Sequence, residues 1–70
     1  MRIVYSGDVR SRGSDQFKTV EALRADQAIA DSLGFNWRDV EVRVNGTLMQ
    51  TGTLKDTDLI DIVTRSNSKG

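Results

Sequence analysis

The chain has 70 residues, in which ten Lys and Arg balance ten Asp and Glu, and it contains neither Cys nor His. A chain this short makes one domain that buries only about 60% of its unfolded surface, which leaves little room for a deep active site, and the missing residue types remove thiol chemistry, disulfides, an imidazole base and nearly every zinc site. Zero net charge argues against strong nucleic-acid affinity, and no apolar run approaches the roughly 20 residues of a membrane span, so the expected compartment is the cytoplasm.

Arg2-Ile3-Val4-Tyr5-Ser6 is β-branched and aromatic, and predicts the first strand. The following GDVRSRGSD contains two glycines among turn formers and is expected to carry the chain round a hairpin. Phe17 to Ala22 then reads as the second strand. A competing reading starts a helix at Thr19, because Thr-Val-Glu-Ala-Leu also suits a capped first turn. Under the first reading Asp26 is the helix N-cap. Ala25, Ile29 and Leu33 fall at i, i+4 and i+8 on one apolar face, with Gln27, Asp31 and Ser32 outward. Gly34 stands where a left-handed residue ends a helix, with Phe35 folding back onto the last turn.

Val40-Glu41-Val42-Arg43-Val44 alternates cleanly and runs straight into Asn45-Gly46, the pair that best tolerates a type I′ hairpin turn. Thr47 to Gln50 is the expected return strand. Thr51-Gly52-Thr53 breaks it, Leu54 drops back to the core, and Lys55-Asp56-Thr57 turns again. Asp58 to Val63 is the expected final strand, with Ile60 and Ile62 on one face. The predicted order is ββαβββ, an α+β domain in which a mixed sheet of four to five strands packs on one helix.

Ser32-Leu33-Gly34-Phe35, Val42-Arg43-Val44-Asn45-Gly46, Leu54-Lys55-Asp56-Thr57-Asp58 and Ile60-Asp61-Ile62-Val63 together cover about half of the chain. Their order resembles the β-grasp, or ubiquitin-like, fold. It is most similar to the sulfur-carrier proteins of thiamin and molybdopterin synthesis, which run through a helix, an "LG", a valine strand ending in Asn-Gly, a "LKDGD" turn, an Ile/Val strand and a short glycine tail. The motifs are mostly turn chemistry and specify a fold better than an activity. TGS domains, which contact RNA or ribosomes, end in a similar way, with a segment like Val63-Thr64. The sequence departs from the carriers twice. Thr57 stands where they have a turn glycine, and a β-branched residue disfavours φ > 0. Ser68-Lys69-Gly70 also replaces their terminal Gly-Gly.

The resemblance implies residues 1–64 as the domain and 65–70 as a flexible polar tail. It makes Gly70 a candidate acyl handle, since a terminal glycine lacks the Cβ that would obstruct entry into an adenylating (E1-like) enzyme's channel. Lys69 adds bulk and charge at that point, though some ubiquitin-like modifiers end in one glycine after a larger residue. The plainer reading is a frayed end. In a β-grasp domain the first and last strands lie side by side and parallel at mid-sheet. The helix then covers Ile3, Tyr5, Ile60 and Ile62, and leaves Val4, Leu59 and Val63 on the open face beside Arg43 and Asp61. An apolar line rimmed by charge suits partner docking, although scattered exposed apolar residues are ordinary.

The same topology suggests that Arg10 and Arg12 gather with Arg65 and Lys69 into a basic patch. No interleaved aromatic residue offers base stacking, and solvated surface charge is the simpler account. Trp37 is expected as a lid over one end of the core with its N–H in solvent; a binding hot spot is the alternative. Asn45-Gly46-Thr47 matches a glycosylation sequon that the hairpin turn already explains. Asp56, Asp58 and Asp61 lack the glycine and later glutamate of a calcium loop, so no metal or other cofactor is expected. No convergent acid, base and nucleophile can be drawn. The expectation is a monomeric, non-catalytic module that binds a protein partner. Two alternatives stand beside it: a carrier or modifier acting through Gly70, and a TGS-like RNA- or ribosome-contacting module.

Overall fold

The computed structural model describes residues 1–65. Five strands and two short helices follow in the order β1 (Arg2–Tyr5), β2 (Asp8–Ser11), α1 (Val20–Arg24), α2 (Gln27–Leu33), β3 (Val40–Val44), β4 (Thr47–Leu48) and β5 (Leu59–Thr64), with a 3₁₀ turn at Trp37–Asp39 before β3. The chain is thus α+β, with one mixed sheet in the spatial order β2-β1-β5-β3-β4. β1 runs parallel to β5, whereas β2, β3 and β4 pair antiparallel with their neighbours. The last strand in sequence is therefore central in space, flanked by β1 and β3.

Side-chain alternation divides the sheet into two faces. Ile3, Val40, Val42, Val44, Ile60 and Ile62 lie buried on one face, against Leu23, Ile29, Ala30 and Leu33 of the helices, with Phe17, Leu54 and Trp37 closing the core. Burying six β-branched sheet residues under two amphipathic turns suits so small a domain. Each such side chain contributes about 1.5–3 kcal/mol when fully buried.

The second strand differs from the expected one. It is Asp8–Ser11, not Phe17 to Ala22. Ser6 and Gly7 take φ of 50° and 89°, a tight turn of the same kind as Asn45-Gly46, where φ is 53° and 88°. The turn puts Asp8 back beside Tyr5 at once. Phe17, Val20 and Leu23 are all buried at a spacing of three, which is helical. The competing reading is the observed one: Thr19 is the N-cap of α1, its hydroxyl accepting the Ala22 N–H at 3.1 Å.

The single expected helix is also two helices. Asp26 leaves the helical region (φ −91°, ψ 106°) and restarts the chain as the N-cap of α2, its carboxylate accepting the Ile29 N–H at 3.0 Å. Ala25 is consequently an exposed C-cap of α1 and not part of the buried stripe. The Asp26 carbonyl at this break accepts the Trp37 indole N–H at 2.8 Å. Trp37 is only 8% exposed, so it closes the core as expected but bonds to the protein and not to water. At the other end Gly34 (φ 87°) receives the chain in the left-handed region and Phe35 N–H returns to the Ala30 carbonyl.

Candidate functional site

The open face follows from register alone. Val9, Val4, Asp61, Arg43 and Leu48 form one row across all five strands, through the pairs Val4↔Val9, Val4↔Asp61, Arg43↔Asp61 and Arg43↔Leu48. Arg2 beside Leu59 makes the row on one side, and Glu41 beside Val63 the row on the other. The expected docking residues Val4, Arg43, Leu59, Asp61 and Val63 thus share one face. Asp61 is at its middle, between Leu59 and Val63 along the strand and between Val4 and Arg43 across it. The charge lies at the centre of the apolar residues as well as at their rim.

Two residues of this face went unnoticed in the sequence. Val9 is 45% and Leu48 50% exposed, against 40% for Leu59, and these three are the large apolar side chains most exposed among the described residues. Val9 belongs to the strand that sequence reasoning misplaced. Leu48 had a usable signal, since it stands two residues after Gly46 in a two-residue hairpin and must oppose Arg43.

Asn45 and Asp58 hold one margin of the face in shape. The Asn45 backbone N–H donates to the Leu59 carbonyl at 2.8 Å, and its side-chain oxygen accepts the Leu59 N–H at 2.9 Å. Its amide nitrogen donates to Asp58 at 2.9 Å. The other Asp58 oxygen accepts the Lys55 N–H at 2.8 Å. The Lys55 N–H and the Asn45 amide together hold the Asp58 carboxyl below its usual range. Asp56 is similarly lowered by the Ser14 N–H and hydroxyl. The three carboxylates Asp56, Asp58 and Asp61 therefore face different partners: two serve loops, and the third belongs to the sheet face.

Among the described residues of the expected basic patch, Arg10 and Arg12 do not gather with Arg65. β2 runs back from its turn until Arg12 and Met1 exchange backbone bonds, whereas Arg65 continues β5 the other way, its N–H bonded to the Asp39 carbonyl at 2.8 Å. Ile60 and Arg10 both stand beside Ile3, so Arg65 lies roughly 16 Å further along the strands at ~3.3 Å per residue. The physical reason is the tightness of the Ser6-Gly7 turn: it returns β2 at once and carries the arginines away from the end where β5 leaves the sheet. Lys69 and Gly70 lie outside the described residues.

A cleft of about 550 Å³ lies off the open face, bounded by the Tyr5 and Phe35 rings with Asp31, Asn36 and Asp39. The rings meet at 4.9 Å and Phe35 stands edge-on to Trp37 at 4.8 Å, so these aromatics brace one another. No helix among the described residues is long and apolar enough to cross a membrane. Comparison of the chain with protein-family models, with curated proteins and with solved structures finds no match.

Proposed function

We propose that the chain is a β-grasp domain that acts as a non-catalytic protein-interaction module through the open face of its sheet. Support for the fold name comes from the strand order, from parallel β1 and β5 at mid-sheet and from helices on one face only. One observation carries the functional reading: Val9, Leu48 and Leu59, the most exposed large apolar side chains, all stand on that one face. Val4 stands beside Val9, and Val63 beyond Asp61 from Leu59, so these apolar side chains surround the central Asp61 and Arg43. Contact with a partner would bury these side chains at about 25 cal/mol per Å² of apolar surface, and Arg43 and Asp61 would select the partner by charge.

The test uses a photo-crosslinking side chain placed at Leu59 or, as a control, at the exposed Gln27 on α2. A defined adduct formed only from Leu59 and abolished by Val63→Asp supports the reading. Equal labelling from both positions, or indifference to V63D, refutes it. The carrier reading rests on Gly70 and separates cleanly. It requires a thiocarboxylate or isopeptide at Gly70, visible as a change in intact mass after incubation with cell extract and ATP, whereas the docking module tolerates deletion of Gly70.

A further inference from the structure

Among the described residues, nothing pairs with the outer margin of β2, which is a sheet edge. Met1 and Arg12 exchange both backbone bonds, the Met1 amine donating at 2.6 Å and the Arg12 N–H at 3.0 Å. Bonded and non-bonded pairs alternate along an antiparallel ladder, so Arg10 also turns its N–H and C=O inward to β1. Val9 and Ser11 therefore turn theirs outward. Such an edge is a template for another strand unless something occupies it.

Two arginines occupy it. Arg10 Nη1 donates to the Val9 carbonyl at 3.1 Å and Arg12 Nη1 to the Ser11 carbonyl at 2.7 Å. Both outward carbonyls are thus covered by the guanidinium of the next residue. Arg10 is tethered further, its Nε donating to Ser32 Oγ at 3.0 Å and its Nη2 to the Ser32 carbonyl at 3.3 Å. Every hydrogen bond described for these two side chains goes to a neutral oxygen.

We infer that the β2 edge is a strand-addition site for an extended acidic polypeptide segment, opened when carboxylates draw Arg10 and Arg12 off the edge carbonyls. A guanidinium bonds more strongly to a carboxylate than to a peptide oxygen, so an acidic strand gains charge-assisted bonds and frees the acceptors that it then uses. A second copy of this chain pairing through Ser11 would set Arg10 against Arg12, like charges that destabilise a strand pair, whereas pairing through Val9 would set Arg10 against Asp8. Concentration-dependent dimerisation that protects the Val9 and Ser11 amides without peptide would therefore overturn the inference. The side-chain pattern of the occupant follows from alternation. Residues opposite Val9 and Ser11 share the open face and supply the backbone N–H groups. Residues opposite Arg10 and Arg12 lie on the other face, with Asp8 beyond Val9 on that same side. The fitting segment therefore alternates from Arg12 back to Val9 as acidic, apolar, acidic, apolar, and carries no charge opposite Asp8.

The probe is the synthetic peptide acetyl-Gly-Asp-Val-Asp-Val-Gly-Gly-amide, whose two aspartates face Arg12 and Arg10 when it lies antiparallel to β2, added to the whole chain and followed by amide hydrogen exchange. The expected result is at least tenfold slowing of exchange at the Val9 and Ser11 N–H groups at saturation. The same peptide N-methylated at both valines should give none, and one with lysine in place of each aspartate should not bind. Arg12→Gln, which leaves the Arg10–Ser32 bonds intact, should weaken binding at least threefold, and R10Q/R12Q at least tenfold, with unchanged exchange at Ile3 and Ile60 showing that each variant is folded. Binding that leaves Val9 and Ser11 unprotected, equal binding of the lysine peptide, or folded variants that bind as wild type would overturn the inference. So would a single-stranded RNA hexamer protecting the same two amides. The edge adjoins the open face at Val9, but the two tests read different positions, so failure here leaves the Leu59 crosslinking result standing, and the reverse.

Discussion

The Asn45 side chain ties the end of β3 to the start of β5, and its replacement separates two physical effects. Asn45→Ala removes the acceptor for the Leu59 N–H and the donor to Asp58. Both bonds are exposed, so each is worth about 0.5–1 kcal/mol, at the lower end of the usual net range. Alanine must also hold φ near 53°, the left-handed region, at a further cost of about 1 kcal/mol. The total is about 2–3 kcal/mol. Asn45→Gly loses the same two bonds but not the backbone tolerance, and should cost about 1–2 kcal/mol. A domain of this size shifts its Tm by roughly 4–8 °C per kcal/mol. Thermal unfolding followed by far-UV circular dichroism should therefore place N45A about 5 °C below N45G, and both well below wild type. Equal Tm values for the two variants would show that the left-handed backbone carries no strain for alanine. An N45G variant as stable as wild type would show that the clasp between β3 and β5 holds nothing.

Three further predictions concern other elements. Thr19→Ala removes the cap of α1 and should cost about 1 kcal/mol, measured by urea unfolding; the loss should largely vanish in Thr19→Ser, which keeps the acceptor. Trp37→Phe keeps a ring in the core but removes the donor to the Asp26 carbonyl, at about 0.5–1.5 kcal/mol, with hydrogen exchange accelerated first at the start of α2. Asp58 has a folded pKa below its ordinary value of 3.8, so its contribution is complete above about pH 4 and is lost as pH falls through the folded value. Asp58→Asn should accordingly flatten the acid limb of a stability–pH curve, the difference from wild type narrowing below about pH 4; an unchanged acid limb would remove Asp58 from that account.

The parts legible in the sequence are those in which a residue's own backbone or its near neighbours decide the outcome. Asn45-Gly46 tolerates positive φ on both residues, so the β3–β4 hairpin and its register were readable. Val40 to Val44 alternates, so its two faces were too. Gly34 and Asp26 mark their helix ends through dihedral freedom and a carboxylate in reach of a free N–H. The pairing of the first and last strands, and with it Val4, Leu59 and Val63 on one open face, came from a resemblance supported by those local signals.

Tertiary structure decided the rest, because it depended on partners distant in sequence. Asp8–Ser11 has one apolar residue and weak strand propensity; it is a strand because β1 offers it a ladder and Ser6 accepts a left-handed turn. Phe17 to Leu23 could not be assigned from propensity, since only packing on Leu54 and the sheet makes its spacing of three matter. Whether Arg10 and Arg12 join Arg65 is a question of strand direction, and the direction of β2 puts them on a sheet edge instead, over the carbonyls of Val9 and Ser11. Composition and periodicity determine which residues are buried and where turns are allowed. Only the closed hydrogen-bond ladder determines which exposed groups come to stand together, because that depends on which strands become neighbours.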